Sequence, residues 1–146
     1  MTIAMATVTA SKKYSYEEQV GGKSLAEWVD VLHLHNCSQN GWYYRPLRPG
    51  AFGYDNLVYT VAAGFESQDR SELGLARAIH QAWAENYRYW RDHQPYLGNK
   101  IYFKASKPLG DDRRNLCAQQ TFDELPEDEQ EKDLVLARCL LSFMSP

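Results

Sequence analysis

Between Ser71 and Asp92 the sequence SELGLARAIHQAWAENYRYWRD places Leu73, Ala76, Ile79, His80, Trp83, Tyr87 and Trp90 at steps of three and four. That spacing lines one face of an α-helix. No other stretch holds one period for so long, so the segment is expected to be the central helix around which the rest packs. Asp69 or Ser71 can cap its first turn, Glu72 complements the free backbone N–H groups there, and Pro95 closes it. Its opposite side carries Arg77, Gln81, Arg88 and Arg91.

Two further helices are marked by their starts. Ser24 and Glu27 form a capping box ahead of Leu25, Trp28, Val29 and Leu32, predicting a helix over residues 25–36. Leu125-Pro126 followed by Glu127, Asp128 and Glu129 opens the last one, with proline at the first helical position and acids where the helix dipole favours them. The nearly continuous apolar run from Leu134 to Met144 predicts a helix buried on most sides and packed on the Trp83 and Tyr87 face of the central helix. Strand-type residues follow the Asn40-Gly41 turn signal at Trp42, Tyr43 and Tyr44, and recur at Asn56 to Ala63 and Lys100 to Lys104. The proline- and glycine-containing stretches Arg45 to Gly53 and Ser106 to Asn115 read as loops. The expected architecture is α+β and predominantly helical, a single compact domain with three main helices and a few short strands. Residues 1–23 are a tail or edge strand, 24–71 a helix with a β-like hairpin region, and 72–146 a helix-loop-helix region.

Composition narrows the function. At 146 residues the chain can bury a continuous core as one domain. No apolar run approaches the roughly 20 residues that span a bilayer, so no membrane association is expected. The start MTIAMATVTASKK lacks a basic region ahead of an apolar one, which argues against a secretory signal and for a cytoplasmic protein. Cys37, Cys117 and Cys139 give no disulfide framework. A formal charge of −3 argues against binding a nucleic acid polymer. The basic residues from Arg77 to Arg114 nevertheless allow a local surface for one small anion. Aromatic residues make up 13% of the chain, suited equally to core, interface and stacking on flat ligands.

The common nucleotide-loop, hydrolase and zincin signatures are absent, which points away from an enzyme and from a bound cofactor. His33, His35 and Cys37 would share one face on a strand; on a helix His35 points away, and no metal is expected. Cys117 lies near Arg113 and Arg114, which could lower its thiol pKa, although a plain loop cysteine is the simpler reading. His80 is either a core histidine or a ligand contact.

LARAIHQAW from Leu75 to Trp83, followed by FDELPEDEQEKD from Phe122 to Asp133, resembles the ryanodine receptor (RyR) domain family. That family pairs an IHxxW-type helix with a later helix start of the form Y-x-E-L-P-x-x-x-x-E-x-D. The matching residues are Ile79, His80, Trp83, Phe122, Asp123, Glu124, Leu125, Pro126, Glu131 and Asp133, and the likeness spans about residues 72–144. It implies a mostly helical α+β module that recognises nucleotide-derived signals, often beside prokaryotic or phage defence systems. On that basis the chain is expected to be a non-enzymatic binding module for a small nucleotide-derived anion, for example an ADP-ribose-like or cyclic nucleotide. Trp83, Tyr87 or Tyr102 would stack on the base, Arg77, Arg113 or Arg114 would pair with phosphate, and His80 would contribute a contact. The other expectation is a protein interaction module or homo-oligomer subunit without a small ligand.

Overall fold

A computed structural model describes residues 13–93 and 112–144. The chain enters through a two-stranded antiparallel hairpin, β1 (Gln19–Val20) and β2 (Lys23–Ser24), in which Gln19 pairs with Ser24 and Val20 with Lys23. Gly21 and Gly22 form its turn with φ of 56° and 89°, the left-handed conformations a two-residue hairpin turn requires. Helix α1 (Leu25–Asn40) follows at once. Its capping box forms as expected: Ser24 N–H donates to Glu27 Oε1 at 2.8 Å and Glu27 N–H to Ser24 Oγ at 3.1 Å. The helix runs past the expected end at residue 36. Gly41, at φ 71°, closes it, and Trp42 N–H donates back to the Cys37 carbonyl at 2.9 Å. Asn40-Gly41 therefore ends a helix rather than turning a hairpin, and Trp42 to Tyr44 form no strand.

The largest departure from expectation is α2 (Phe52–Glu66), which takes in the whole Asn56 to Ala63 stretch expected to be β-like. Tyr54, Asp55, every residue from Leu57 to Ala62 and Gly64 are buried, spread around its circumference. A helix covered on nearly all sides has no polar face, so its sequence shows no 3.6-residue period and imitates a buried strand. Helix α3 (Glu72–His93) is the segment with the long apolar stripe. Ser71 Oγ accepts from Gly74 N–H at 3.0 Å and itself donates to Asp69 Oδ1 at 2.7 Å, so both expected capping residues act together.

Helix α4 (Asp112–Gln119) occupies part of the expected loop, and a 3-10 turn at Phe122–Glu124 leads to α5 (Glu127–Met144). Pro126 sits just before α5, its carbonyl accepting from Gln130 N–H at 3.0 Å. Only Ala137, Cys139 and Leu140 of α5 are buried; its other apolar residues are half-buried and Arg138 reaches Glu72 at 3.1 Å. The apolar run is thus an amphipathic outer helix. It packs on the Glu72 to Trp83 part of α3, while Tyr87 belongs to the contact with α4. The expected strand at Lys100 to Lys104, the stop at Pro95 and the tail at residues 1–12 lie outside the described residues.

One core draws on all five of these helices, including Leu25, Trp28 and Leu32 of α1, Val58 and Val61 of α2, Leu75 and Ile79 of α3, Cys117 of α4 and Leu140 of α5. Inside it Asp55, fully buried, accepts from the Tyr16 hydroxyl and from Trp90 Nε1–H, the latter at 3.0 Å. Gly50 N–H donates to the same Tyr16 oxygen at 3.1 Å. This polar knot ties the entry segment, the loop before α2, α2 and α3 into one frame, and it fixes the relative position of the two helices that wall the cleft described next. Among the described residues no helix is long and apolar enough to cross a membrane.

Candidate functional site

A cleft of about 400 Å³ opens between α2, α3, α4 and α5. Its walls are Phe52 and Asn56 from α2, His80 and Trp83 from α3, and Arg113, Arg114 and Cys117 from α4. Leu125 and then Glu129, Lys132, Asp133 and Leu136 complete it. Helical spacing explains the last set, because 129, 132, 133 and 136 recur at three and four and present one face of α5 to the opening.

Four of the residues expected at a ligand site, His80, Trp83, Arg113 and Arg114, meet at this cleft. Two others do not. Arg77 is bound bidentately to Asp123 at 3.2 Å, outside the lining. Tyr87 is completely buried and its hydroxyl donates to Asn115 Oδ1 at 2.9 Å, so its ring has no face for a base. Tyr102 lies outside the described residues. The basic outer side of α3 has a different use from the one expected. Arg88 donates to the Ala118 carbonyl at 3.0 Å, Arg91 to Asn115 Oδ1 at 3.1 Å, and Arg77 holds Asp123, so these cations fasten the 112–124 segment onto α3.

The aromatic wall is a column. His80 and Trp83 are near-parallel with centroids 5.9 Å apart, and Trp83 and Tyr87 are near-parallel at 5.1 Å. With ring neighbours one turn before and one turn after it, Trp83 lines the cleft mainly by its edge.

The electrostatics are graded with depth. The side chains of His80, Asp133 and Glu129 are 6%, 13% and 14% exposed, whereas Arg113 and Lys132 are 62% and 69% exposed. Acceptors lie inside and cations at the mouth. Arg113 is bound by Glu129 Oε2 at 2.6 Å and Asp128 Oδ2 at 2.8 Å, and Lys132 reaches Glu129 at 3.2 Å. His80 Nε2 is 2.7 Å from the Gln120 carbonyl; a carbonyl only accepts, so this nitrogen carries the hydrogen. The other nitrogen, Nδ1, then faces Asp133 Oδ2 at 3.7 Å. Burial, reinforced by Glu129 and opposed by Lys132, pushes the Asp133 carboxyl up to about 7.

Burial raises the Cys117 thiol, Glu129 adds to the effect, and the opposing influence of Arg113 is smaller, in line with the plain-cysteine reading rather than activation by arginine. Both ring nitrogens of His80 are directed elsewhere, at Gln120 and Asp133. At the other candidate cluster, His33 Nε2 donates to the Arg45 carbonyl at 2.6 Å and His35 packs on Phe143. Among the described residues no group of three or more His, Cys, Asp and Glu side chains is placed to hold a metal ion.

Sequence reading missed Phe52, Asn56, Glu129 and Lys132 as cleft residues. Asp133 was visible only through the family likeness. No family model, no curated protein and no solved structure matches the chain.

Proposed function

We propose that this chain is a non-enzymatic binding module that recognises or sequesters a small nucleotide-derived anion. The observation that carries the reading is the graded cleft, with an aromatic wall and buried polar groups inside, Arg114 on its wall, and Arg113 and Lys132 at its mouth. Its volume falls in the range of roughly 300–1,000 Å³ found for small-ligand sites. A flat ring would lie between Phe52 and the edge of Trp83. A phosphate would take the place of the Glu129 and Asp128 carboxylates on Arg113 through charge-assisted hydrogen bonds. The residues carrying the likeness to RyR domains also support the reading, since His80, Trp83, Leu125 and Asp133 line this one cleft. In a prokaryotic or phage setting such a module would read or remove a defence signal.

The test is thermal unfolding of the purified protein against mono-, di- and cyclic nucleotides and ADP-ribose derivatives. A ligand at about 100 times its Kd adds roughly 2.7 kcal/mol to the native state, several degrees for a domain this size. Arg113→Ala and Arg114→Ala are expected to reduce that shift.

A second reading rests on a separate observation. Trp42, Tyr43 and Tyr44 are 61%, 92% and 43% exposed, and a run of exposed aromatics is typical of a protein interface. If no nucleotide shifts the transition, this reading takes precedence, and mass measured against protein concentration tests it for a homo-oligomer.

A further inference from the structure

The deep end of the cleft is short of hydrogen-bond donors. Asn56 Oδ1 is buried and has no hydrogen-bond partner, while Asn56 itself lines the cleft. Asp133 offers carboxylate oxygens there, and its near neighbour on α3 is His80 Nδ1, at 3.7 Å. His80 Nε2–H is spent on the Gln120 carbonyl, so this hydrogen is not offered to the cleft. Asn56 from α2 and Asp133 from α5 thus bring side-chain oxygens to the same cleft, and among the described residues no side chain donates to Asn56 Oδ1. A buried acceptor left unpaired costs about 1–3 kcal/mol, so N–H groups on a ligand are the partners this end of the cleft calls for.

We propose that the cleft selects a purine ring edge carrying adjacent N–H donors, a guanine-type edge, with the Asp133 carboxylate and the Asn56 side-chain carbonyl as the acceptors that read it. This rests on the nucleotide-binding reading above and adds to it the class of base. A carboxylate accepts from two neighbouring N–H groups in a fork, as it does from a guanidinium. An adenine edge presents one amino group beside a ring nitrogen that is itself an acceptor, and that nitrogen would face the carboxylate unfavourably. The phosphate end then points outward to Arg113 and Lys132, whose side chains are the exposed ones. The base and phosphate ends of such a ligand thus match the acidic interior and basic mouth of the cleft. A site built to bond N–H groups rejects an analogue that lacks them more strongly than an apolar pocket rejects a missing methylene.

Titration calorimetry of the full chain with guanosine, inosine and adenosine monophosphates tests the assignment. Guanosine monophosphate should bind at least about tenfold more tightly than adenosine monophosphate, with inosine monophosphate, which keeps one ring N–H and lacks the amino group, between them. In Asp133→Asn the guanosine preference should fall to within about threefold. Asn56→Ala, which removes an unpaired buried oxygen, should weaken guanosine binding severalfold and gives a second variant on a different helix. Equal or tighter binding of adenosine monophosphate overturns the assignment, as does a guanosine preference that survives Asp133→Asn; in either case nucleotide binding itself stands. Absence of heat with all three overturns the assignment together with the reading beneath it.

Discussion

Asp133 is the residue whose chemistry the fold alters most. Its carboxyl moves from an ordinary value of 3.8 to about 7, chiefly by burial. Without ligand the folded protein therefore holds this proton more tightly than the unfolded chain does, whereas N–H groups donated by a ligand would favour the carboxylate. The proton's contribution is complete below the unfolded value and is lost as pH rises through about 7, a span worth at most on the order of 4 kcal/mol. The groups around it are His80 on α3, Glu129 and Lys132 on α5, and Arg113, Arg114 and Cys117 on α4. Asp133→Asn is neutral at every pH, so it should match the parent protein at pH 4 and exceed it at pH 8 by roughly 2–4 kcal/mol in urea unfolding. An equal difference at both pH values would show that the carboxyl is not displaced. His80 and Trp83 were legible because they lie on the apolar stripe of α3, and Arg113 and Arg114 because cations beside an aromatic helix suggest an anion. Glu129 and Lys132 were not, since an inward-facing charge on an acidic helix start reads the same as a solvated one.

Helices with an intact polar face and a recognisable cap could be read from the chain, which covers α1, α3 and the start of α5. Helix α2 had neither signal, being buried nearly all round and preceded by Ala51 with no side-chain cap. The Gly21-Gly22 pair was a readable hairpin signal that the sequence reading passed over. Helix α4 is of another kind. It is short and polar, and its ordering depends on contacts from α3, above all Arg88 on the Ala118 carbonyl at its C-terminal end. Since α4 carries Arg113, Arg114 and Cys117, it forms one wall of the cleft and is held from outside it. Arg88→Ala should raise amide hydrogen exchange over residues 112–119 by about tenfold while changing global stability by roughly 1 kcal/mol or less. Exchange unchanged over that segment would mean that α4 is held by its own packing.

At the scale of the molecule, the Tyr16, Asp55 and Trp90 knot places α2 against α3, and α5 covers the seam between them. The cleft lies where these elements leave a gap beside α4. The predominantly helical α+β class followed from three strong helix signals. The cleft itself did not, because six of its lining residues come from α2 and α5, where nothing in the spacing marks them as neighbours of His80. The chain's four tryptophans provide a direct test of where a ligand binds. Trp83 lines the cleft, Trp42 is exposed in the loop after α1, and Trp28 and Trp90 are buried. The decisive measurement is a nitrogen-15 correlation spectrum of the four indole N–H groups during titration with guanosine monophosphate. A binding cleft at this position predicts that the Trp83 resonance moves with ligand, together with the Asn56 side-chain amide, while Trp42 stays in place. Movement of Trp42 alone, or of no indole at saturating nucleotide, would contradict it.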